Sequence, residues 1–98
     1  MFKERRKHRR KEMYYPAWIV LGDDTLQGCA VLNISDHGAK LEVIDSFMIP
    51  DNFELSFSKQ GSPKRPCRIV WRASNQIGVH FEIQLTEAFL STIVEISV

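Results

Sequence analysis

The sequence predicts a mainly β protein: a six-stranded antiparallel β-barrel with a flexible basic N-terminal arm and a C-terminal helix. Three observations carry this. Six short runs rich in β-branched and aromatic residues alternate with hairpin-sized gaps of Gly, Asp, Asn, Ser and Pro. A sheet of six short strands must cover its edges, and a small closed barrel does so with few residues. Charge is also segregated. Residues 1–12 carry seven Lys or Arg against two Glu, a net of +5, while residues 13–98 carry six against ten, a net of −4. A positive field held on a short arm points to an anionic partner.

Taken in order, residues 1–13 show no apolar periodicity and repel themselves, so an unstructured arm is expected, with a plain solubilising tail as the alternative. Tyr14 to Leu21 reads as the first strand, punctuated by Gly22-Asp23-Asp24. Pro16 lacks an N–H and belongs near a strand start or on an edge. Thr25 to Ile34 is the second strand, with Gly28 a candidate bulge or bend. Ala39, Leu41 and Val43 alternate with Lys40 and Glu42 in a half-buried third strand. Ile49-Pro50-Asp51-Asn52 breaks the pattern, and Phe53 to Ser58 resumes it with three apolar residues in and three polar out.

Lys59 to Pro63 is a turn. Arg65 to Ala73 is the fifth strand, with Cys67, Ile69 and Trp71 on one face. Gln76 to Glu82 is the sixth, with Ile77, Val79 and Phe81 inward and His80 and Glu82 outward. Thr86 to Val98 suits a helix capped by Thr86, with Phe89, Ile93 and Ile96 on one stripe, although its β-branched content leaves an edge strand open. The 98 residues therefore make a single domain: arm 1–13, barrel 14–83, helix 84–98.

Several function classes are excluded. No apolar run approaches a membrane span, and the N-terminus lacks the charged-then-apolar order of a signal peptide, so a cytoplasmic protein is expected. Cys29 and Cys67 lie in apolar stretches outside any C-x-x-C and read as buried free thiols. His8, His37 and His80 fall on an arm, a turn and a strand, without metal-ligand spacing. Ser35 has no His–acid partner beyond its neighbour His37, so no catalysis and no cofactor are expected.

Function concentrates in Asn33-Ile34-Ser35-Asp36-His37-Gly38, a hairpin corner between two apolar runs. Asn33 and Ser35 are two residues apart, project to one side and offer groups that both donate and accept. They suit the edge of a base, or an ordinary Asx-turn. Together with Arg6-x-x-x-Arg10 in the arm, Asn33-x-Ser35-x-x-Gly38 resembles the paired hallmark motifs R-x-x-x-R and [D/N]-x-S-x-x-G of the PilZ domain family. The resemblance extends through Pro16-Ala17, Arg68-Ile69-Val70-Trp71 and Ile77-Gly78-Val79-His80-Phe81.

The resemblance implies a β-barrel receptor or adaptor for cyclic di-GMP. Arg6 and Arg10 would grip phosphate and the guanine Hoogsteen edge with planar donor forks. The overlapping pair Arg5/Arg9 is a second possible register. Arg5 matches an extra arginine some members place before the motif, which implies two ligand molecules per chain. Asn33 and Ser35 would meet the ligand from the barrel, and Gly38 would let it approach the backbone. Trp71 resembles an aromatic near the site in some relatives, or is a barrel core residue. Asn33 stands where many relatives have Asp. Ligand would order the arm and expose a surface for an unidentified effector protein. Two rival classes stand beside this: an adaptor of the same fold that binds no nucleotide, and a small barrel that binds RNA or DNA. The acidic body and inward Phe53, Phe57 and Phe81 count against nucleic acid.

Overall fold

The computed structural model describes residues 11–83 and Phe89. The six strands are β1 (Lys11–Val20), β2 (Leu26–Ile34), β3 (Gly38–Glu42), β4 (Asn52–Ser56), β5 (Arg65–Arg72) and β6 (Gln76–Phe81). They close into a barrel in the order β1-β2-β3-β6-β5-β4, and every neighbouring pair is antiparallel. Closure comes from β1 on β4, where Trp18–Val20 pair with Ser56, Leu55 and Glu54. A short 3-10 turn, Ser46–Met48, carries the chain from β3 to β4. Arg72 holds that turn through the Ser46 carbonyl and through Asp51 Oδ1 at 2.6 Å.

The apolar alternation read from the sequence fills the barrel. Ile19, Val31, Leu41, Leu55 and Ile77 are fully buried at the centre. Each such side chain contributes about 1.5–3 kcal/mol relative to exposure. Val79, Phe81 and Phe53 join them. Both cysteines are free thiols, Cys67 buried and Cys29 half-buried. Burial disfavours the thiolate and pushes each up to about 12.

Several expectations need correction. β1 begins at Lys11, three residues before Tyr14, because Lys11 and Glu12 continue the ladder opposite Ile34 and Asn33. Of the two places expected for Pro16, the strand start is wrong and the edge holds: it lies inside β1 where only β2 pairs, so one side of the strand needs no donor. Gly28 is no bulge, since the register runs evenly through Trp18↔Gly28.

The polar-out pattern of β4 fails at Ser56, which is fully buried. Its hydroxyl donates to the Ser58 carbonyl and accepts the Ser58 N–H, both at 3.1 Å, so burial leaves it satisfied. The arm through Arg10 lies outside the described residues. So does the helix expected over 84–98, except for Phe89. No α-helix occurs within residues 11–83. Phe89 packs edge-on against Phe57 at 5.5 Å, with the Arg65 guanidinium 4.2 Å from its ring centroid.

Candidate functional site

Two one-residue register shifts build the site. On β2, Val31 and Ile34 are both buried although they are three residues apart. Strict alternation would send Asn33 inward with Val31. The register shift against β3 between Val31 and Asn33 inserts one residue and reverses the phase, so Ile34 takes the core and Asn33 the outer face.

β5 repeats the device. Cys67 and Ile69 face inward, and alternation would bury Trp71 with them, as the sequence suggested. A shift against β6 between Ile69 and Trp71 turns Trp71 out, leaving it 44% exposed. Trp71 as a core residue is thereby ruled out.

The two re-aimed side chains meet in one transverse row. Asn33 pairs with Lys40, Lys40 with Gly78, and Gly78 with Trp71. The row crosses β2, β3, β6 and β5, about 14 Å at the usual strand spacing. The Trp71 indole lies over Gly78, where a Cβ would overlap its ring nitrogen. This row forms the wall of an outward cleft of about 550 Å³, which Ser35 and Gly38 also line. Four of the seven residues singled out from the sequence, Asn33, Ser35, Gly38 and Trp71, therefore converge. The other three, Arg5, Arg6 and Arg10, lie outside the described residues.

Gly38 acts differently from expectation. It does not adopt a positive φ; among the described residues only Asp24 and Gly61 do. A Cβ at Gly38 would instead overlap the Val79 carbonyl oxygen. The absent side chain admits the β6 backbone, and no ligand approach is needed to explain it. The corner itself is tightly pinned. The Ser35 N–H donates to Gly38 O at 2.9 Å, the His37 N–H to Ser35 Oγ at 3.3 Å, and the Phe81 N–H to His37 O at 2.7 Å.

Among the cleft residues that the sequence reading missed are the polar side chains of His37, Lys40 and His80. The His37 and His80 rings stack in parallel, 7° apart, with centroids 6.5 Å apart. Lys40 was legible as an outward residue between Ala39 and Leu41, and His80 as outward on β6. Their convergence rests on the β3–β6 register, which Gly38↔His80 and Lys40↔Gly78 define. A second groove, about 700 Å³, lies along Tyr14, Pro16, Glu42 and Ile44 and holds none of the predicted residues. There Tyr14 donates to Glu42 Oε1 at 2.7 Å, and this bond to the carboxylate pushes its phenol above the usual range. Among the described residues no cluster suits a metal ion, and no helix is long and apolar enough to cross a membrane.

The cleft thus offers an aromatic platform, an amide, a hydroxyl, an ammonium and two imidazoles on one wall. Such a set suits a base bearing phosphate. No curated protein matches the chain. The family model of the PilZ domain matches residues 4–97, nearly the whole chain. The chain belongs to the PilZ domain family, a family of cyclic di-GMP receptor domains rather than enzymes.

Proposed function

We propose that this domain is a cytoplasmic cyclic di-GMP receptor whose N-terminal arginines close over the cleft. The observation that carries the reading is the register at the start of β1. Lys11 pairs with Ile34 and Glu12 with Asn33, so the chain enters the barrel beside the cleft. Arg10 is the next residue out, and Arg6 lies five residues from Lys11, within about 18 Å of chain. Both arginines therefore have the reach to meet a ligand held by Asn33, Ser35 and Trp71.

The charge logic supports the same reading. Ordering the arm costs about 1–2 kcal/mol per residue of backbone entropy. Charge-assisted hydrogen bonds of about 1.5–3 kcal/mol each offset that cost when a polyanion is present. The ordered arm creates a surface absent from the free domain, and an effector protein reads that surface. Arg5, adjacent to Arg6, supplies the further cation needed for two stacked ligand molecules, whose phosphates crowd one another.

Calorimetry with cyclic di-GMP, beside GTP and a short single-stranded RNA, tests this. Saturation at two cyclic di-GMP per chain is expected, falling toward one in Arg5→Leu. Binding of RNA with equal affinity would move the domain to nucleic-acid recognition. Saturation of the wild type at one would remove the two-molecule form.

A further inference from the structure

We propose that Lys40 and the stacked His37–His80 pair form a phosphate seat on the barrel wall, so that ligand binding tightens as the imidazoles take up protons. This rests on the receptor reading above and deepens it: the barrel would supply its own phosphate-holding cations in addition to the arm.

The geometry begins with two glycines. On adjacent strands β3 and β6, Gly38 stands opposite His80 and Gly78 opposite Lys40. Lys40 and His80 are therefore diagonal neighbours on the outer face, within reach of each other's long side chains. Neither has a side chain directly across from it on that pair of strands. Trp71 covers Gly78, so the indole borders the same space. An anion attached to a base stacked on Trp71 would meet Lys40 and His80 together.

The histidine stack follows from the same close approach. The missing Cβ at Gly38 lets β3 press on the Val79 carbonyl. The Phe81 N–H then captures the His37 carbonyl at 2.7 Å. His37 is fixed beside β6, and its ring lies parallel to that of His80. An anion seated against both rings favours their protonated forms, because an opposite charge nearby stabilises the charged state. Binding of phosphate and uptake of protons are then reciprocally linked.

Other charges face the pair. On the β2–β3 corner, Asp36 Oδ1 lies 3.8 Å from His37 Nε2. On β5, Arg68 is opposite His80 in the ladder, and its Nε lies 3.5 Å from Glu82 Oε2 just beyond β6. On β3, Lys40 completes the set. Imidazole is the side chain whose charge ordinarily changes near neutral pH. His8 in the arm is the chain's third histidine and the control.

The test titrates the full chain with cyclic di-GMP at pH 6 and pH 8, and follows the histidine ring resonances by NMR with and without pyrophosphate. Affinity should be about tenfold tighter at pH 6. His37→Phe with His80→Phe, which keeps flat rings but cannot take protons, should bind equally at both pH values. His8→Gln should keep the wild-type difference, and Lys40→Gln should bind several-fold more weakly at both. Should the double variant fail to fold, wild-type NMR decides: pyrophosphate must raise the midpoints of His37 and His80.

Wild-type affinity independent of pH, or a pH difference that survives in the folded double variant, overturns the seat while leaving the receptor reading standing. Pyrophosphate shifting both histidines with no cyclic di-GMP binding at either pH keeps the seat and overturns the receptor reading. No response to either ligand overturns both.

Discussion

The indole of Trp71 lies across Gly78 so closely that a single methyl on Gly78 would overlap its ring nitrogen. The glycine is the floor on which the aromatic platform rests. Gly78→Ala should leave the barrel folded, because the obstacle is a rim side chain that can swing away. Overpacking of this kind costs about 1–3 kcal/mol. In a Trp18→Phe background, Trp71 fluorescence should shift to the red and cyclic di-GMP affinity should fall. An unchanged spectrum with unchanged affinity would show that the ring needs no such floor.

Gly38→Ala meets a harder obstacle. Its added methyl would strike the Val79 carbonyl oxygen, which is backbone within the β3–β6 ladder. No rotamer change relieves that contact. Its cost should lie at or above the upper end of the about 1–3 kcal/mol for overpacking. Urea denaturation of the two alanine variants checks the order, with Gly38→Ala the less stable.

Arg6→Ala and Arg10→Ala should weaken cyclic di-GMP binding and leave the unfolding midpoint unchanged, since the charged run that holds them has no apolar face to bury. Losing one forked charged contact costs about 2–3 kcal/mol, which is tens to hundreds of fold in affinity. Lys7→Ala should cost little once salt screens a simple charge. Calorimetry at low and high salt separates the two kinds of loss. Equal losses for Lys7 and Arg6 at high salt would make the arm a nonspecific polyanion binder.

Cys29 and Cys67 predict an alkaline limit. The thiols ionise near 9 in the unfolded chain and at about 12 in the barrel. Between those values the unfolded state has released protons that the folded state keeps, so stability falls as pH rises through that window. Below about 9 the two thiols contribute no slope. Denaturation from pH 8 to pH 10.5 should show a decline that is shallower in Cys29→Ala/Cys67→Ala. Equal declines in both proteins would remove the thiols as its source.

Much of this protein was legible residue by residue. Six strand-like runs, the last four of them alternating, and their turn residues pointed to a small closed barrel, because side-chain direction in a strand has a period of two and the apolar face must be buried. The inward faces of β3 and β6 followed directly. Asn33, Ser35 and Gly38 were singled out from their motif positions and Trp71 from its likeness to an aromatic of some relatives, and they share one cleft. Ser56 escaped this reading because its burial is compensated by Ser58 two residues on, a local bond that the polar-out rule does not anticipate.

What alternation could not decide was phase after an interruption. One extra residue at the β2 and β5 bulges reverses every side chain beyond it, and a bulge exists only relative to a partner strand. Trp71 was therefore assignable to either face from sequence, and the β5–β6 register sent it outward. The role of Gly38 was likewise open, since freedom of φ and absence of a Cβ are the same chemical fact until a neighbouring carbonyl occupies the space. Lys40, His37 and His80 became one site for the same reason. Composition and periodicity are properties of a strand, whereas a row across four strands is a property of their pairing, and only the folded barrel sets that.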